Sequence, residues 1–137
     1  MVADTGALVS DQTATIMATL NGSSKPATLS LVAPLTLSGT TASAITASGA
    51  TITWTTNKAS DSQVAYGATP AYGSVSILDA VLVTSHNINL TGLAPSTIYH
   101  YKVVSHDAQG TLGESGDFTL TTSASTGHSR AMARPMR

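Results

Sequence analysis

Apolar and hydroxyl side chains alternate residue by residue along short runs of this chain, and a period of two fits an extended strand and no helix. In Ala50-Thr51-Ile52-Thr53-Trp54-Thr55, the residues Ala50, Ile52 and Trp54 fall on one side of an extended backbone and the threonines on the other. Val64 and Tyr66, Ile88 and Leu90, Tyr99, Tyr101 and Val103, and Phe118 and Leu120 repeat the step. Asn57-Lys58, Gly67, Gly73, Gly92, Ala94-Pro95, the stretch from Asp107 to Gly110, Gly113 and Gly116 close these runs. Strands therefore recur roughly every ten residues, the spacing of a sandwich or barrel. Residue preferences agree, since Thr and Val are stiff at χ1 and favour pleated backbone.

The alternation explains an unusual surface. Only 9% of the 137 residues are charged, where globular domains carry about 25%. The chain holds 22 Thr and 18 Ser, so hydroxyls take the place of charges on the wet faces. A formal net charge of −1 gives no broad field toward nucleic acid or an anionic membrane, and neither is expected as a partner. There is no cysteine for a disulfide, and no run reaches the roughly 18 apolar residues of a spanning helix. Met1-Val2-Ala3-Asp4-Thr5 lacks the basic and apolar regions of a secretory signal. The chain is thus expected either to stay inside the cell or to be a piece of a longer protein.

Two unequal parts are expected, followed by a tail. Seven strands are predicted near 36–46, 49–56, 61–67, 73–78, 83–90, 97–106 and 113–122, enough for one whole sandwich over residues 34–122. Before it, the runs 14–20 and 27–32 flank Asn21-Gly22-Ser23-Ser24, and Asn-Gly between alternating runs is a strong hairpin signal. Residues 1–33 are therefore predicted to be a separate hairpin unit. Residues 123–137 form a predicted flexible tail holding all three arginines, Arg130, Arg134 and Arg137; without them the net charge falls from −1 to −4.

The segment Leu93-Ala94-Pro95-Ser96-Thr97-Ile98-Tyr99 resembles the E–F corner of fibronectin type III domains, Leu-x-Pro-x-Thr-x-Tyr. That resemblance implies a seven-stranded Greek-key β-sandwich in which the Tyr99 hydroxyl bonds back to the corner backbone. Trp54 matches the family's core tryptophan, and Tyr101 and Val103 its inward positions. Thr53 to Asn57, Asp61 to Gly67 and Thr84-Ser85-His86 resemble a bacterial variant found in secreted multidomain proteins, itself similar to the N-terminal sandwich of purple acid phosphatases. The expected structural core is Trp54, Val64, Tyr66, Leu93, Pro95, Tyr99, Tyr101, Val103 and Phe118. The N-terminal hairpin resembles the last two strands of a bacterial immunoglobulin-like repeat, and so is expected to be a remnant of one.

No constellation points to catalysis. His86, His100, His106 and His128 are read as solvated surface histidines. On one strand, His100 and His106 would lie roughly 20 Å apart, too far to share an ion. The aspartates fall at turns, Glu114 is the only glutamate, and there is no Gly-x-Ser-x-Gly elbow or phosphate-binding glycine run. No catalytic residue, metal or cofactor is expected. Tyr72, placed in a loop, is the one ring expected to stand exposed and to offer surface carbohydrate a stacking face.

The hairpin has an apolar face, with Ile16, Ala18, Leu20, Leu29 and Leu31 as its candidate assembly residues and no partner sheet in its own segment. It is expected to lie on the sandwich, to exchange with a second copy, or to pair with another protein by strand addition. Three functions follow as expectations. The first is a non-catalytic spacer, adhesion or protein-interaction module of an extracellular or cell-surface bacterial protein. The second is a structural subunit of a filament or capsid-surface lattice. The third is an accessory domain of a purple acid phosphatase-like metallophosphatase.

Overall fold

The computed structural model describes residues 11–125, all of them strand, turn or irregular backbone. The basic tail residues Arg130, Arg134 and Arg137 lie outside the described residues. Strands β1 (Gln12–Leu20) and β2 (Ser23–Leu31) form an antiparallel hairpin with Ala14 opposite Leu29 and Ile16 opposite Ala27. Its turn is Asn21-Gly22, with φ of 51° and 79°, the paired positive angles that match the twist of a two-residue hairpin.

The remaining strands are β3 (Leu37–Ser43), β4 (Ala50–Gly67), β5 (Ser74–Val75), β6 (Asp79–Leu90), β7 (Ile98–His106), β8 (Leu112–Glu114) and β9 (Phe118–Thr121). They make one antiparallel seven-stranded sheet that curls into two layers. The first half of β4 lies between β3 and β6; its second half pairs with β5 and β7, and β7 also pairs with β8 and β9. The strands expected at 49–56 and 61–67 are thus one strand. Its register slips between Thr55 and Ser60 and again before Ser62, and such bulges bend a strand from one layer into the other without ending it.

Trp54, Val64, Leu93, Tyr101 and Val103 are buried between the layers with Ile52, Ile88 and Leu120, and Tyr66 and Tyr99 pack half-buried against them. Two residues expected in the core are not there. Phe118 is 38% exposed; it stacks on Tyr101 at 5.7 Å between ring centroids, but β9 is an edge strand and covers the ring on one side only. Pro95 is exposed because it forms the outside of the corner, where its carbonyl accepts the Thr97 hydroxyl. The corner is otherwise closed from within. The Ala94 N–H donates to Tyr99 Oη at 2.9 Å, and buried Thr122 accepts from the Thr97 N–H and donates to the Ala94 carbonyl at 2.6 Å.

The run Val64-Ala65-Tyr66-Gly67 ends in glycine for a steric reason. The loop after it folds back so closely that a methyl group there would overlap the Tyr72 carbonyl oxygen.

Candidate functional site

His86 is the first polar residue that the fold places against expectation. It is 2% exposed and lies directly opposite Trp54 on β6, so both side chains face inward. The rings stack with centroids 4.8 Å apart and planes 3° from parallel. Hydroxyls surround the imidazole: Ser62 Oγ is 2.7 Å from Nδ1, and Thr56 Oγ1 is 2.9 Å from Nε2. The single Thr56 hydroxyl proton goes to the Lys58 carbonyl at 2.7 Å, so Thr56 must accept from Nε2–H. Burial favours the neutral ring, and in a neutral ring with its proton on Nε2 the Nδ1 is the acceptor, to which Ser62 donates. Burial holds its pKa below the ordinary 6.5 against the opposite pull of Asp61 and Asp79. The expectation of a solvated histidine fails because His86 stands two residues before inward Ile88 and four before inward Leu90.

The second feature is the joint between hairpin and sandwich. Asn57 grips the connecting segment: its Oδ1 accepts the Thr36 N–H, its amide donates to the Pro34 carbonyl, and its own N–H donates to the Thr36 carbonyl. Lys58 completes the joint. Its Nζ lies 2.5 Å from Asp107 Oδ2 in the sandwich and 2.9 Å from Asp11 Oδ1 at the hairpin base, and it donates to the Ala33 carbonyl. Asp11 also accepts the Ala33 N–H. Ala33 and Leu35 are buried, so the connecting segment is part of the sandwich end. The Asp107 and Asp11 carboxylates hold the lysine above its usual pKa. Burial opposes ionisation of Asp107, but Lys58 and the Thr111 and Gln109 amides keep its carboxyl below the usual range. In the sequence Asn57-Lys58 marks only a strand boundary, because partners at residues 11, 33 and 107 carry no local signal.

Charges on the outer face of β7 are also engaged. His100 Nδ1 is 2.8 Å from Asp117, and Lys102 pairs with Glu114 and lies 5.6 Å from the Tyr72 ring centroid. Tyr72 is half-buried with Lys102 over its face, so the ring does not stand free as expected. Among the described residues no group of three or more His, Cys, Asp or Glu could hold a metal ion.

Among the described residues, two surfaces with exposed apolar side chains remain uncovered. Every residue of β1 and β2 is exposed, including the candidate assembly residues Ile16, Ala18, Leu20, Leu29 and Leu31; the hairpin does not lie on the sandwich. The sandwich flank has a groove of about 490 Å³ lined by Tyr66, the segment 75–79 and residues 87–91. In its lining, Val75 is 62% exposed and Ile77 91%.

The sequence signature of the family described as the N-terminal domain of purple acid phosphatases matches residues 38–122. No curated protein matches the chain by sequence. Among solved structures, the chain is similar to the sixth fibronectin type III domain of a human fibronectin type III domain-containing protein (21% identity, 74% of this chain and 96% of that one, TM-score 0.53). It is also similar to the sensor domain of the anti-sigma factor RsgI4 of Pseudobacteroides cellulosolvens (22% identity, 69% and 99%, TM-score 0.51). A third match is a two-domain fibronectin type III segment of chicken tenascin (22% identity, 83% and 65%, TM-score 0.51). These likenesses show a fibronectin type III-like β-sandwich.

Proposed function

Because the chain belongs to the purple acid phosphatase N-terminal domain family by its match over residues 38–122, we propose that it works as a non-catalytic spacer or protein-interaction module in an extracellular or cell-surface protein. One observation carries this reading: Lys58 bridges Asp11 and Asp107, tying two consecutive β units into a fixed joint. The side chains that chemistry would need have structural work instead. His86 fills the core, Asp107 staples a turn and anchors the joint, and Tyr99 closes the corner. Small-angle scattering of the full chain tests the reading. A spacer gives one extended distance distribution that broadens in Lys58→Ala, whereas superimposable curves for the two proteins would rule out a built joint.

The family match favours a second reading, an accessory domain beside a metallophosphatase domain in a longer protein. The coding sequence following residue 137 decides this: a downstream metallophosphatase domain supports it, and an unrelated domain removes it.

A further inference from the structure

The geometry points to a head-to-tail contact between two copies of this chain, in which the apolar face of one hairpin seats in the flank groove of the next sandwich. The pairing register puts Ala14, Ile16, Ala18 and Leu20 on one face of the ribbon with Ala27, Leu29 and Leu31, while Thr13, Thr15, Met17 and Thr19 take the other with Ser24, Pro26, Thr28 and Ser30, a face that is mostly hydroxyl. Ile16 is 51% exposed and Leu20 75%, so the ribbon is two-faced with its dry side in water. A two-stranded ribbon is marginal by itself and becomes stable when that side is covered. Its own sandwich does not supply the cover, because Lys58 holds the hairpin base at the sandwich end.

Charge selects the groove as the cover. The apolar face carries a single charged residue, Lys25, opposite Ala18 near the tip. The groove lining carries a single charged residue, Asp79. Among the described residues neither has an ionic partner; the Asp79 carboxylate accepts only the Val81 N–H. Each surface thus exposes apolar side chains around one charge, the groove setting Val75, Ile77 and Leu78 among Ser76, Asn87, Asn89 and Thr91; the two charges are opposite in sign, and complementary charges fix register across an interface. The two surfaces sit on different parts of one molecule, so the contact is heterologous and repeats from copy to copy into a ring or a filament. This goes beyond the spacer reading, which needs no self-association.

Sedimentation of the full chain over a range of concentrations is the test, with circular dichroism confirming that each variant keeps its fold. The wild type is expected to gain mass with concentration, and Ile16→Asp and Ile77→Asp are each expected to stay monomeric. Mixed together, these two are expected to form only dimers, since Ile16→Asp keeps an intact groove and Ile77→Asp an intact hairpin. Lys25→Glu and Asp79→Lys are each expected to weaken association about fivefold, the range of an exposed ion pair, and the double exchange to restore it. A wild type that is monomeric throughout overturns the inference. So does self-association of Ile77→Asp alone, which would mean that hairpins exchange with each other, and so does a mixture of the two Asp variants that stays monomeric.

Discussion

The hairpin and the sandwich are written in the same alphabet yet reach opposite ends of the burial scale. Ala14, Ile16, Ala18 and Leu20 alternate with Thr15, Met17 and Thr19 much as Ala50, Ile52 and Trp54 alternate with threonines. Ile52 is fully buried and Ile16 is half in water. The difference lies in the second layer: β4 bends across to pair with β7 and so builds a cover for its own first half, whereas among the described residues β1 and β2 pair only with each other. Alternation specifies a strand and its wet face. What covers the dry face is a property of topology.

The sharpest way to break this contrast is to truncate one side chain in each region. Trp54→Ala removes a buried ring that stacks on His86 and donates to Ser105 at 3.1 Å, and is expected to cost about 3–5 kcal/mol in denaturant unfolding. A loss under about 1 kcal/mol would mean that the layers do not share one core.

Acid is the next lever, and it acts on the sandwich. The folded state holds His86 neutral with its pKa lowered, while the unfolded chain takes up a proton near 6.5. Stability is therefore full above that value and falls as pH drops below it. A second stage of loss follows as pH falls through the range of the Asp11 and Asp107 carboxyls, whose pKa values are also lowered. In His86→Leu the first stage is expected to vanish and the second to remain, as read from melting temperature against pH. A first stage that survives this substitution would move its origin to another group.

Tyr99→Phe sharpens the comparison more gently. It deletes the acceptor of the Ala94 N–H and is expected to cost about 1 kcal/mol, seen as an earlier denaturant midpoint at an unchanged slope. Smallest of all, Ile16→Ala in dilute protein is expected to change unfolding of the sandwich by no more than about 0.5 kcal/mol, as for any surface position. A cost comparable to Trp54→Ala would place Ile16 in a buried contact.

Much of this was legible in the sequence. The period of two, the Asn-Gly turn and the Leu-x-Pro-x-Thr-x-Tyr corner led to the hairpin, the sandwich and the inward set from Trp54 to Val103. His86 was within reach of the same parity argument, one step back from Ile88, but residue type argued against it: an imidazole is accepted in a core only where hydroxyls such as Ser62 and Thr56 converge on it, and those lie on another strand. The joint was not legible, since Lys58 finds Asp107 only after β4 and β7 are paired and Asp11 only after the hairpin closes. Phe118 misled for the opposite reason. Its parity is inward, but an edge strand leaves an inward ring half uncovered.

Native-state hydrogen exchange on the dilute full chain tests most directly the claim that one alternating pattern has a cover and the other lacks it. Amides of Ile52 to Trp54, Ile88 and Tyr101 to Val103 are expected to exchange only with global unfolding, while those of β1 and β2 open locally and exchange many times faster. Equal protection of both regions in dilute protein would contradict the account.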